Sequence, residues 1–320
     1  MNKINNYTDP NVQQGEQPVR VLFFIIESFS DPKKVGFQKF LSEYQINKII
    51  QYRNEKCSLN SIKNYNHFFM LPYINQTKAI YIRETFLSYL WGLCYATTTT
   101  YSEIIKHVDN NKPVDNRIWD RAMEVARYSK SLITKYSDWP TDLPNPEIHS
   151  LEDKEYIDLT NKIYIWAVQF ILYHEIGHAK ENHMSKPSTI TDEIEADNFA
   201  FTELISIINR IPNYSIRETV VFGIISGIFS LFILTPFNIT YKETTHPYTF
   251  NRLDKFMKLI EADQKISEDH HYWSYALIAI ELCNSASSNI INWDTFSLND
   301  DTAKARYNKS INYLNEIQPK

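Results

Sequence analysis

Two histidines four residues apart, with a glutamate beside the first, stand in the segment ILYHEIGHAKENH, residues 171 to 183. On an α-helix a step of four residues turns the side chain by about 40°, so His174 and His178 leave one face. Two neutral imidazoles on one face can bind a single zinc ion. Glu175 lies about 100° round from His174, aside from the ligand row but within reach of a water on the metal. The spacing therefore puts a general base next to the first ligand. The row that ends in these histidines begins with Ile163, Ala167 and Phe170. The rings thus sit at the end of an apolar stripe, where an unpartnered imidazole would be costly to desolvate. Gly177 removes a side chain beside them and lets another backbone or a substrate approach.

A catalytic zinc takes a third protein ligand and keeps its fourth position open for water. The segment TDEIEADNFAF supplies a candidate: Glu193, Ala196, Asp197 and Ala200 follow the i, i+3, i+4, i+7 pattern of one helix face. Two carboxylates and two small residues on that face suit a second helix packed closely on the first. Glu193 completes a His, His, Glu set. Asp197, one turn later, is placed to accept the free ring N–H of a ligand histidine and fix its tautomer. Glu195 points elsewhere and reads as solvated. His183, past the ligand face in a polar stretch, reads as a surface histidine.

The elements that must position these groups are mostly helical. Asn161 to Ile176 contains no breaker, and the helix carrying the histidine pair spans about 153 to 183. The next begins near Thr191. Upstream, the run VRVLFFIIESF (19–29) is rich in branched and aromatic residues and is expected to be a buried strand. Residues 77–108 read mostly as helix, with Thr97 to Thr100 as the place where it would break. Residues 116–136 have apolar positions at helical spacing. The three prolines in WPTDLPNPE (139–147) forbid regular helix and mark an internal boundary. The expected organisation is a loose tail at 1–18, a mixed and mostly helical region at 19–147, and a helical metal-binding region at 148–320.

Composition bounds the rest. With 320 residues, 22% charged and 43% apolar, the chain is an ordinary globular one with a sizeable core. A net charge of −5 offers no basic footprint, which argues against nucleic acid as a partner. Cys57, Cys94 and Cys283 are scattered without redox or metal spacing, pointing to a reducing, cytoplasmic setting, and the first residues have no apolar core of a secretory signal. The 21 tyrosines, 18 phenylalanines and 6 tryptophans fall at core spacing along helices. One segment stands apart. VVFGIISGIFSLFILTPF (220–237) carries no charge and holds Gly223 and Gly227 at GxxxG spacing. Two readings stand: a membrane-inserted segment that ties the protein to the inner membrane, or a helix buried in a large helical domain.

HEIGH followed by EIEAD resembles the gluzincin metallopeptidases, whose ligands are two helix histidines and the first glutamate of E-x-x-A-D. THPYTFNRL (245–253) resembles the T-H-P-x-x-x-x-R segment found downstream of that glutamate in the HtpX and CAAX prenyl-protease group. The resemblance implies that His246 lies near the metal, where it or a tyrosine such as Tyr248 meets the oxyanion, and that Arg252 fixes the loop. For Arg252 a structural pairing is the competing role. Length, the helical N-terminal half and the proline-rich linker look most like the Lit-type phage-exclusion peptidases. ImmA/IrrE-like regulatory proteases share the signature but place it nearer the start of a shorter chain.

The resemblance implies a mainly α (α+β), zincin-like metallopeptidase domain with a small N-terminal β element. It also implies one catalytic zinc, His174, His178 and Glu193 as ligands, Glu175 and His246 as catalytic groups, and Asp197 and Arg252 behind them. For the Lit group the substrate is a host translation factor, elongation factor Tu, with a phage peptide as activator. The alternatives are a membrane-associated HtpX-like or an ImmA/IrrE-like regulatory protease. A different class, a non-catalytic metal-binding interaction protein, would not need the base at Glu175.

Overall fold

Among the described residues helix dominates, and the strands are few and short. The computed structural model describes residues 3–5, 17–29, 50–53, 71–76, 80–110, 112–133, 136–185, 188–233, 246–286 and 302–317. In chain order these form β1 (Lys3–Asn5), α1 (Phe23–Phe29), β2 (Ile50–Arg53), β3 (Tyr73–Ile74), β4 (Ile80–Arg83), α2 (Glu84–Asn110), α3 (Asn116–Ser131) and β5 (Ile148–Ser150). There follow α4 (Lys154–Lys180), α5 (Ile190–Arg210), α6 (Tyr214–Ser230), α7 (Thr249–Gln264), α8 (His271–Ala286) and α9 (Ala303–Glu316). β1 pairs antiparallel with β5, so the small N-terminal β element is present. A second sheet has the order β2-β4-β3, with β2 parallel and β3 antiparallel to β4. The protein is mainly α, as expected.

α4 is the central rod. From Ala167 to Ala179 every residue is buried, and α2, α5 and α6 pack around it. A helix buried all round over this length is an interior one, and its polar residues must find partners there. The apolar core runs on both sides of the proline-rich stretch 139–147, because α2 and α3, which precede it, share a cluster with α4, α6 and α8, which follow.

Two expectations need correction. Residues 19–29 are not a strand: Pro18–Leu22 forms a 3₁₀ turn that continues into α1. A short apolar run leaves strand and helix undecided. The buried positions Val19, Leu22, Phe23 and Ile26 are spaced as one helical face, while Phe24 stands out at 63% exposure. The threonine run does not interrupt α2. Thr97 to Thr100 are buried within it, and Thr98 shares a hydrogen bond of 3.2 Å with the Tyr275 hydroxyl of α8. β-branched residues weaken a helix only slightly, and packing decides here.

Of the two readings of 220–237, the buried helix is the one seen over the described part. Thr219 to Ser230 of α6 is buried against protein, and among the described residues no helix is long and apolar enough to cross a membrane. The glycine pair explains the packing. A Cβ at Gly223 would fall 2.6 Å from the Ile163 carbonyl oxygen, and one at Gly227 would fall 2.9 Å from that of Ala167. The small residues bring α6 onto α4. Residues 234–237 lie outside the described residues.

Candidate metal centre

The site forms where the C-terminal end of α4 meets the N-terminal end of α5. Thr189 caps α5 with a reciprocal pair: its hydroxyl accepts from the Asp192 backbone N–H at 3.3 Å, and Asp192 accepts from the Thr189 N–H at 2.9 Å. This fixes the start of α5 and sets Glu193 in its first turn. Gly177 fixes the distance between the helices, since a Cβ there would lie 2.8 Å from Ala196 Cα. The approaching group is backbone.

Three ligand-type side chains converge as a result. His174 Nε2 lies 3.2 Å from His178 Nε2 and 3.3 Å from Glu193 Oε2, and His178 Nε2 lies 3.5 Å from Glu193 Oε1. All three residues are buried, and together they form a group that could hold a metal ion. A tetrahedral ion with bonds of about 2.0–2.1 Å spaces its ligand atoms by about 3.4 Å. The nitrogen–nitrogen distance is close to that spacing, and Glu193 meets each ring with a different oxygen at a similar distance, so the donor set fits zinc in chemistry and the group is compact enough to close on one ion.

The surrounding charges act in the same direction. The His174 Nδ1–H donates to Asp197 Oδ1 at 3.0 Å, which leaves Nε2 facing the other two groups. Burial alone would lower the His174 pKa, but Asp197 and Glu193 raise it to about 10, so two carboxylates hold positive charge at this point. A divalent cation meets the same demand. Burial, reinforced by the charge of His174, lowers His178 to about 3, which keeps that ring neutral. Burial would raise Glu193, yet its hydrogen bond with His174 draws it well below the carboxylate range. The Ser188 hydroxyl donates to Glu193 Oε1 at 3.0 Å.

Arg252, in the first turn of α7, grips Asp197 with two hydrogen bonds, Nε to Oδ2 at 2.7 Å and Nη2 to Oδ1 at 2.5 Å. Both are buried, at 4% and 2% exposure, so α7 is tied to α5 by a desolvated, bidentate pair. The structural pairing is therefore the one seen for Arg252. His246 Nε2 lies 3.5 Å from Glu193 Oε1 with its side chain 32% exposed, at the mouth of the site. Tyr248 instead occupies the N-cap position of α7, without a side-chain capping bond, and its ring stacks on Phe250 at 5.4 Å.

Glu175 faces the same cavity, of about 310 Å³, that His174, His178, Glu193 and His246 line. Its carboxylate accepts from the Ile74 backbone N–H of β3, and burial raises its pKa to about 7. A carboxyl poised there can take and return a proton near neutral pH.

His183 departs from the expectation of a surface residue: it is 6% exposed. α4 ends at Lys180, and Asn182 adopts a left-handed turn (φ 58°) that folds the chain back. His183 Nδ1 then lies 3.0 Å from His178 Nδ1, and its Nε2 lies 2.9 Å from Glu195 Oε2. Glu195, half-exposed, is thus a hydrogen-bond partner and not merely solvated. The missed signal was Asn182, a residue type that accepts the left-handed region and commonly stops helices. Ser188 carried no signal beyond its place before the Thr189 cap.

No solved structure matches the chain. The chain is 24% identical over 246 residues to the "Cell death peptidase" of Escherichia coli (strain K12), covering 74% of this chain and 80% of that one. The Peptidase U49 family matches residues 80–276, a span that holds every site residue described above. These matches bear out the resemblance to the Lit-type peptidases: the chain belongs to the Peptidase U49 family and is a peptidase.

Proposed function

We propose that the protein is a zinc-dependent endopeptidase acting on a protein substrate. One observation carries the proposal: two buried imidazole nitrogens and the buried Glu193 carboxylate converge within the reach of one metal ion, with the Glu175 carboxyl in the same cavity. His174, His178 and Glu193 would hold the ion, which supplies a Lewis acid for the scissile carbonyl and for the attacking water. Glu175 takes the proton of that water during attack and delivers it to the leaving amine. Its burial, with a pKa raised to about 7, suits both transfers. His246, at the cavity mouth, hydrogen-bonds the developing oxyanion. Asp197 and Arg252 act behind the ligands, holding the His174 ring with Nδ1 protonated.

The substrate proposal rests on the resemblance. It is a host translation factor such as elongation factor Tu, cut in the cytoplasm during phage exclusion with a phage peptide as activator. The test incubates the purified protein with lysate of phage-infected bacteria, with and without 1,10-phenanthroline, beside Glu175→Gln. One new fragment, absent with the chelator and in the variant, is expected. A fragment that persists in all three samples overturns the metallopeptidase proposal. Intact elongation factor Tu beside a different cleaved protein overturns the substrate proposal alone.

A further inference from the structure

His183 takes no part in the mechanism above, yet it is buried, fully engaged and in direct contact with a proposed ligand. His178 can offer a lone pair at Nε2 only if its proton sits on Nδ1. That proton then points at His183 Nδ1, 3.0 Å away, which must accept it. His183 Nδ1 accepts only if the ring is neutral with its own proton on Nε2. Carboxylates secure this placement, because they accept and cannot donate. Glu195 Oε2 lies 2.9 Å from His183 Nε2 and Asp192 Oδ1 lies 3.6 Å from it.

We propose that His183 is a positioning residue for the metal centre. Oriented by Glu195 and Asp192, it holds the His178 proton on Nδ1 and so keeps Nε2 open for the ion. This rests on the zinc reading above. Asp197 does the corresponding work for His174, so each ligand histidine has its own acceptor.

Proton counting adds a second consequence. His183, Asp192 and Glu195 also form a group that could hold a cation. An ion on His183 Nε2 would move that ring's proton to Nδ1, aimed at His178. The His178 proton would then move to Nε2, where it blocks the first ion. The two positions exclude one another while both rings are neutral, and the chain takes one zinc.

The test measures zinc affinity by competition with a chromophoric chelator, the visible spectrum of the cobalt-substituted protein, and melting of the zinc-free protein. His183→Ala should bind zinc about 10- to 100-fold more weakly and alter the cobalt bands. His183→Asn places an amide oxygen near the Nδ1 position and should restore most of the affinity. Glu195→Lys, at a half-exposed position outside the core, replaces the acceptor with a donor and should also weaken binding. It serves if His183→Ala fails to fold. Wild-type zinc affinity in both His183→Ala and Glu195→Lys overturns the inference while leaving the zinc proposal intact. Equal losses in His183→Ala and His183→Asn overturn it too, since filling space would then be the role. Two zinc ions retained per wild-type chain after gel filtration overturn the exclusion. Wild-type protein that binds no zinc overturns the zinc proposal itself, and this inference with it.

Discussion

Gly177→Ala tests the packing that brings the ligands together. In the interior of an isolated helix this change stabilises by about 1 kcal/mol. Here the new Cβ would sit 2.8 Å from Ala196 Cα and 3.0 Å from its carbonyl oxygen, where ordinary contact begins near 3.4 Å. The obstruction is backbone, so α5 must retreat from α4 by about 0.6 Å, and overpacking of this kind costs about 1–3 kcal/mol. The net expectation is a loss of about 0–2 kcal/mol in the zinc-free protein. Glu193, one turn before Ala196, moves with α5 and stretches the 3.3 and 3.5 Å edges it makes with the two histidines. Zinc affinity should fall about 10- to 100-fold, as when the groups supporting a metal ligand are disturbed. Chelator competition and urea denaturation measure the two quantities on the same preparation. A variant stabilised by the full helix-propensity gain, with wild-type zinc affinity, would refute the close approach and the positioning argument built on it.

Further outcomes follow from the same structure. His174→Ala and His178→Ala should each lose the metal by elemental analysis; undiminished zinc in both removes them as ligands. Arg252→Met leaves the Asp197 carboxylate buried without its bidentate partner and should cost about 3–5 kcal/mol in urea denaturation. Asn182→Val forces a branched side chain into the left-handed turn before His183 and should cost about 1–2 kcal/mol, whereas Asn182→Gly should be nearly neutral. Burial, opposed by a hydrogen bond with Ser226, raises the Cys94 thiol to about 12. At pH 8 the thiolate is then about one part in ten thousand, and native protein should resist iodoacetamide at Cys94, read by mass spectrometry of its peptide.

The sequence by itself determined the groups whose geometry is local. Four residues along one helix put His174 and His178 together whatever surrounds them, and Glu193 with Asp197 share a face for the same reason. Gly177 was legible as a site of close approach. The sequence also showed that α4 continues an apolar stripe into the histidines.

Tertiary structure decided everything that depended on what lies opposite. An uncharged run at 220–237 suits lipid or a protein interior equally, and only the fit of Gly223 and Gly227 onto the carbonyls of α4 selects the interior. The apolar run at 19–29 left strand and helix open until one face of it met the core. His183 lay in a polar stretch that periodicity assigns to solvent. A single left-handed residue reverses the chain there, and the ring swings from the surface to the back of His178. Spacing along a helix is a property of the backbone alone, whereas the partner of a buried polar group is a property of the fold.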